Sequence, residues 1–257
     1  MPPDAGARRP AYDAIAHLYD VDMARNMPFD DIAFYERVCR ESPAGPVLEL
    51  GCGNGRVMLE LAARGLDVVG VDGSPRMLAA LVDKAKACAL SPRVCRMDAR
   101  NLGFARCFGA VLCPYSLVTY MGQGNDAARM LDEARRVIVA GGNVVIDAFV
   151  PMPSAAQAHF KQDYVRTFGA GALMRFKRIT PIGDGMNRID RRYDMIDATG
   201  GLVERVETSE DIRPFTPDEV LGLLETSGWR VRSTWWNYTS AAPLADAQFF
   251  TAVAQTF

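Results

Sequence analysis

From Pro46 onward, apolar runs of strand length alternate with longer segments of helical period, the pattern of a sheet built from βαβ units. It predicts strands over Val47–Leu50, Val68–Asp72, Arg93–Asp98, Ala110–Cys113 and Val144–Phe149, with helices over Gly55–Arg64, Pro75–Ala89 and Asn125–Val139. Ser74 followed by Pro75 is a helix start with a clear mechanism, a side-chain cap ahead of a pre-set first turn. The third helix runs into "VAGGNVV", where Gly141 supplies the left-handed turn that ends a helix and opens a strand. After Phe149 the period changes. The segments "DYVRTFG", "ALMRFKRIT", "NRIDRRYDMID" and "LVERVETSEDIR", parted by glycine turns, read as three or four antiparallel strands. A helix returns in "FTPDEVLGLLETSG", with Thr216 as cap, Pro217 at its first position and Gly228 near its end, and the strands "WRVRSTWWNY" and "AQFFTAVAQTF" follow. The stretch Tyr12 to Glu41 is helical in pattern and lies ahead of the first strand. The chain therefore divides into 1–45, a disordered lead and helices; 46–150, an α/β core; 151–213, an inserted antiparallel β-subdomain; and 214–257, a return to the core.

Composition narrows the class. With 257 residues, 49% of them hydrophobic and 23% charged, the chain reads as folded and soluble. A net charge of -2 without a basic stripe excludes nucleic acid as an expected partner. Apolar runs such as "GGNVVIDAFV" fall short of the roughly 20 residues of a membrane helix. The opening "MPPDAGARRP" lacks an apolar signal core, which with the previous point leads to a cytoplasmic expectation. Six cysteines (Cys39, Cys52, Cys88, Cys95, Cys107, Cys113) form no C-x-x-C pair and have no histidine nearby, so no metal is expected and the thiols read as small, reduced hydrophobes.

Candidate chemistry sits at the first strand end, where Gly51-Cys52-Gly53-Asn54-Gly55 turns into a helix. Without Cβ atoms in the way, the backbone N–H groups there can touch a flat or anionic ligand. Asp72 ends the next strand and is placed to accept both hydroxyls of a ribose, and Asp98 with Ala99 stands where an adenine edge would be read. A dinucleotide loop needs a third glycine where this chain has Arg56, which disfavours an NAD(P)-dependent oxidoreductase, the first alternative. The acid-x-G-x-G-x-G run from Glu49 resembles motif I of class I S-adenosylmethionine-dependent methyltransferases, and "GVDGSPRML" extends the likeness over a second βα unit.

That resemblance implies a doubly wound, Rossmann-like, seven-stranded sheet with its last strand antiparallel, an N-terminal helical lid, and S-adenosyl-L-methionine as cofactor. Gly51, Gly53 and Gly55 would pack on its methionyl part, Asp72 would hold the ribose, Asp98 and Ala99 the adenine, with Gly73, Ser74 and Met77 flanking it. Glu49 orients the loop or meets the amino group through water. "YDAIAHLYD" looks like the lid helix, with Tyr12 or Tyr19 closing over the cofactor, and "GAVLCPYSLVTYM" like the fourth strand and the substrate-facing loop, which gives Cys113 a cofactor role and Tyr115, Ser116 and Tyr120 a substrate role. The layout of the insertion is similar to that of bacterial amino-sugar N-methyltransferases.

Methyl transfer from a sulfonium requires two reactants held in line, without an obligatory triad. Candidate catalytic groups are Tyr19, His17 and Tyr120; His17 lies one turn from Asp13, and His159 has no visible partner. Of Trp235 and Trp236, neighbours on a strand with Tyr238 close by, at most one can line a pocket. Arg175, Arg178, Arg188, Arg191 and Arg192 either bind an anionic acceptor or solvate a sheet face. The expected function is methyl transfer to a nitrogen, or oxygen, of a small-molecule acceptor, by a monomer or homodimer; a non-catalytic S-adenosylmethionine-binding protein is the second alternative.

Overall fold

The structure is a computed structural model that describes residues 11–23, 27–151 and 159–256. The disordered lead falls on residues outside this set, as do parts of the helical stretch before Glu41 and of the segment following Pro151. Three helices open the chain, α1 (Ala11–Ile15), α2 (Tyr19–Met23) and α3 (Asp31–Glu41). There follow β1 (Val47–Leu50), α4 (Met58–Ala63), β2 (Val68–Asp72), α5 (Pro75–Ala87), β3 (Arg93–Arg96) and β4 (Phe108–Cys113). A 3-10 turn (Leu117–Tyr120), α6 (Asp126–Val137) and β5 (Ile138–Phe149) complete the first run. Next come β6 (Lys161–Phe168), β7 (Gly171–Gly183), β8 (Met186–Ile196) and β9 (Leu202–Ile212), then α7 (Pro217–Thr226), β10 (Arg230–Trp236) and β11 (Phe249–Gln255).

These elements form two compact units: α1, α2 and β6 to β9 make one, and the remaining elements the other. In the larger unit seven strands run in the order β10-β11-β5-β4-β1-β2-β3. The first five strands of the chain pair in parallel, and β11 lies antiparallel between β5 and β10. Parallel pairing brings the carboxyl ends of β1, β2, β4 and β5 to a single edge, where an open α/β sheet presents its crevice. Apolar side chains from α6 and α7, among them Met130, Leu131, Val137, Val220 and Leu224, cover one face, and α3, α4 and α5 cover the other with Tyr35, Val38, Met58, Leu61 and Leu81. The smaller unit is the four-stranded antiparallel sheet β6-β7-β8-β9, packed through Leu173, Tyr193 and Met195 on Ile15 and Leu18 of α1 and the turn after it.

The expected boundaries shift where local geometry overrides period. The first core helix begins at Met58 rather than Gly55, because Gly51, Gly53 and Gly55 all hold positive φ (68°, 53° and 88°) and none can join a right-handed helix. The next helix ends at Ala87, two residues short of Ala89, which has φ 55°. The third helix ends at Val137; β5 starts at once, and Gly141 (φ 73°) lies in a bulge within it, where the ladder jumps from Phe108↔Ile138 to Ala110↔Asn143. β3 ends at Arg96, so Asp98 stands two residues past the strand. Tyr238 lies beyond β10, in a left-handed turn with Asn237 (φ 64° and 49°). The helical stretch before Glu41 is three helices, of which α3 belongs to the larger unit and α1 and α2 to the smaller.

Half the cysteines depart from expectation: Cys39, Cys52 and Cys113 are buried, but Cys88, Cys95 and Cys107 are exposed. Trp235 and Trp236 do face opposite sides, the first against Phe34 (5.7 Å between centroids) and the second against Phe250 (5.3 Å). No helix among the described residues is long and apolar enough to cross a membrane.

α7 has a complete capping box: Glu219 N–H donates to Thr216 Oγ1 (3.2 Å) and Thr216 N–H to Glu219 Oε2 (2.8 Å). Thr216→Ala should therefore cost about 1 kcal/mol, read as a fall in Tm of about 2–4 °C for a chain of this size.

Candidate functional site

The crevice is built on one close approach. Gly70, in the middle of β2, has no room for a side chain, since a Cβ there would lie 2.7 Å from both Cys52 Sγ and Met58 Sδ. That bare position lets the loop after β1 and the start of α4 settle directly onto β2. Asp72 then fastens the loop from the end of the same strand: its Oδ2 accepts the Gly53 N–H at 2.8 Å and its Oδ1 the Ser74 N–H at 2.7 Å. The carboxylate thus faces the glycine loop. Ser74 is occupied as the helix cap, its Oγ accepting from Met77 N–H at 3.1 Å, and the buried Met77 reaches the loop, where a Cβ on Gly53 would meet its Cε at 3.3 Å. Gly73 is exposed beside them. At Gly51 the positive φ favours glycine, and a Cβ would meet the methyl end of Leu117 of the 3-10 turn at 2.9 Å.

Glu49 is 2% exposed and its Oε2 has no hydrogen-bond partner. Burial pushes its carboxyl up to about 8, against the pull of Arg56. A buried acceptor without a donor, beside a loop of left-handed glycines, is a site built for a ligand with a positive or donating group. Arg56, in the place of a dinucleotide loop's third glycine, reaches back to α3. It forms a two-pronged pair with the buried Asp31 (3.1 and 2.7 Å) and lies 5.6 Å from the centroid of the Tyr115 ring.

Asp98 lies outside this tight cluster. The Arg100 guanidinium grips both its oxygens and holds its carboxyl below the usual range, while Ala99 next to it is buried. Cys113 is fully buried in the core, and burial next to Asp147 raises its thiol, so only its main chain is left for a ligand. Ser116 is likewise fully buried: its Oγ accepts the Phe149 N–H at 3.0 Å and pairs with Thr119 Oγ1 at 2.5 Å, which corrects the expectation of a hydroxyl facing substrate. Tyr115 and Tyr120 are both half-buried.

The lid candidates belong to the smaller unit. Tyr12 and Tyr19 meet edge to face at 6.0 Å and pack on the four-stranded sheet. His17 is exposed in the turn between α1 and α2, because α1 stops at Ile15, and its Nε2 stands 3.8 Å from Glu204 of β9. His159 is exposed. The insertion arginines are neither bare nor merely solvated: Arg175 pairs with Asp22 and Asp163, Arg178 with Asp190, Arg188 with Asp211, Arg191 with Glu210 and Arg192 with Asp194.

One group escaped the sequence reading. Asp147 on β5 is fully buried and accepts from the hydroxyls of Tyr35, Tyr238 (2.8 Å) and Thr251 (2.8 Å) and from the Tyr115 N–H (3.0 Å). Burial raises its carboxyl to about 6, and burial together with Asp147 raises both phenols. An acid inside the apolar run "VVIDAF" was the available signal. Among the described residues no group of His, Cys, Asp and Glu has the arrangement of a metal site.

Comparison with known proteins follows the same lines. Residues 47–142 match the family described as methyltransferase domain. A demethylmenaquinone methyltransferase of Thermus thermophilus is 27% identical over 228 residues, 87% of this chain and 90% of that protein. The putative methyltransferase YqeM of Bacillus subtilis is 23% identical over 94% of this chain and 96% of its own. Among solved structures, an S-adenosylmethionine-dependent methyltransferase from Clostridium acetobutylicum superposes with a TM-score of 0.79 at 17% identity, covering 96% of this chain and 99% of that one. The sugar N-methyltransferase KedS8 from a Streptoalloteichus species gives 0.73 at 23%, over 100% and 97%.

The buried Glu49 sets a pH dependence. Its folded-state carboxyl is raised from 4.5 to about 8, so the stability it confers is complete below about 4.5 and lost as pH climbs towards 8. Between pH 7 and 8, with Asp147 (about 6) largely ionised, the free protein should lose stability with a slope of at most about 1.4 kcal/mol per pH unit. Urea unfolding of Glu49→Gln across that range should be flatter; parallel curves would remove Glu49 as the cause.

Loop, sheet order and sequence matches converge: residues 47–142 form a methyltransferase domain, and the chain is similar over most of its length to S-adenosylmethionine-dependent methyltransferases.

Proposed function

We propose that the protein moves a methyl group to a nitrogen, or an oxygen, of a small-molecule acceptor, with the cofactor held in the crevice along Gly51–Gly55, Glu49 and Asp72. The observation that carries the site assignment is the unpartnered, buried Glu49 Oε2 beside three left-handed glycines. The bound cofactor supplies an activated methyl on a positive sulfur. The residues do the rest by holding and orienting. Asp72, fixed by two backbone N–H groups, is the carboxylate that would accept from the ribose hydroxyls. Glu49 gives up its proton when a cationic amino group is brought to it, which exchanges a buried neutral acid for a buried ion pair. Asp98 and Ala99 flank the base, Asp98 held in place by Arg100.

Collinear positioning of donor and acceptor is the main catalytic contribution, with a reach of about 7–11 kcal/mol in well-oriented systems. Both histidines are exposed and the carboxyl of Asp147 is sealed from solvent, so a ready general base is wanting among the described residues. That favours an amine acceptor, which needs only to arrive neutral, over a hydroxyl.

Calorimetric titration with S-adenosylhomocysteine tests the site. Binding is expected, and Asp72→Ala should weaken it at least tenfold. Two backbone donors lose their acceptor in that variant, so a stability cost of about 1–3 kcal/mol accompanies it. Absence of heat with the wild-type protein, or unchanged affinity in a folded Asp72→Ala, would contradict the assignment.

A further inference from the structure

The loop after β4 and the end of β5 reverse the usual arrangement of polar and apolar groups. Their polar side chains point inward: Ser116 and Asp147 are 0% exposed and Thr119 6%. The ring at the end of β5 points outward instead. Phe149, the last residue of β5, is 39% exposed, and it is backed by Tyr115 (5.2 Å, edge to face) and Phe249 (4.8 Å, tilted). Phe149 therefore presents its ring on a rigid footing of two others, at the sheet edge that also carries the glycine loop.

This footing is built at a cost. Tyr115 and Ser116 both adopt left-handed backbone conformations, φ 51° and 60°, which bulky residues avoid. Tyr115 is held there by its N–H on the Asp147 carboxylate at 3.0 Å, and the Phe149 main chain is held by its N–H on Ser116 Oγ at 3.0 Å. A fully buried carboxylate, satisfied by four donors, keeps in place a loop whose outward product is an aromatic surface. A pair of strained residues and an ionisable group in the core are not needed merely to end a strand; apolar packing of the same volume does so more cheaply.

We propose that Tyr115 and Phe149 form the acceptor shelf, and that the acceptor presents a flat, unsaturated ring to it rather than a polyhydroxylated face. A sugar would require several outward hydroxyl, amide or carboxylate partners, whereas Ser116, Thr119 and Asp147 are already engaged with one another and with the backbone. A planar ring gains from apolar burial and from the geometry of ring pairing. The proposal deepens the functional reading above and rests on its placement of the cofactor at the same edge.

The test uses 6-aminoquinoline as a planar amine probe and methyl β-D-glucosaminide as its sugar counterpart. Each is titrated by saturation-transfer NMR into the full chain, with and without S-adenosylhomocysteine. The quinoline should bind saturably, and Phe149→Ala should weaken it about fivefold or more, while leaving the affinity for S-adenosylhomocysteine within twofold; Phe149→Trp should restore it. A quinoline that does not bind, binds equally to a folded Phe149→Ala, or is outcompeted by the glucosaminide would overturn the shelf. Failure of S-adenosylhomocysteine alone would overturn the cofactor reading instead, and the shelf is then judged on the quinoline titration of the free protein.

Discussion

The carboxylate of Asp72 accepts one N–H from the glycine loop and one from the start of α5, and the rest of the crevice is arranged around that bridge. It connects the ends of β1 and β2, which the bare Gly70 has already brought within packing distance through Cys52 and Met58. With the loop held, three alternate glycines can keep positive φ, the main chain stays open, and Glu49 is left buried with one oxygen unanswered. The site's charge economy follows from this geometry, since a neutral Glu49 suits the free protein and an ionised one suits a cationic ligand.

A second anchor operates on β5, below the proposed acceptor shelf. Asp147 gathers donors from α3, the loop after β4, β11 and the turn after β10, and so ties four separate stretches of the larger unit to one atom group. The two anchors meet through Tyr115, whose N–H is on Asp147 and whose ring lies beside Arg56 of the glycine loop. Arg56 in turn is bound to Asp31 at the head of α3. The residues proposed to hold cofactor and those proposed to face the acceptor are thereby part of one connected framework, as a reaction governed by alignment demands.

Much of this was legible in the sequence because it depends on period and on a few residue types with fixed physical uses. Apolar runs gave β1, β2 and β11 with little error, and Ser74-Pro75 and Thr216-Pro217 marked helix starts through capping chemistry that is local in the chain. The glycines and Asp72 were visible because backbone exposure and a strand-end acid leave a spacing signature. Asp147 was not, since its meaning comes from Tyr35, Tyr238 and Thr251, residues 112, 91 and 104 positions away. Ser116 was misread for the same reason: a hydroxyl in a loop looks available until the Phe149 N–H is found to be using it. The insertion arginines, with two options open from the sequence, are instead in ion pairs, most of them across neighbouring strands.

The claim on which the account depends is that the Glu49–Asp72 crevice holds the cofactor, and a crystal structure grown with S-adenosylhomocysteine tests it most directly. The account predicts the homocysteine portion along Gly51–Gly55 with its amino group towards Glu49, and the ribose hydroxyls on Asp72 with the Gly53 and Ser74 hydrogen bonds intact. A nucleoside bound elsewhere, or an Asp72 carboxylate that leaves the loop and makes no ribose contact, would contradict it.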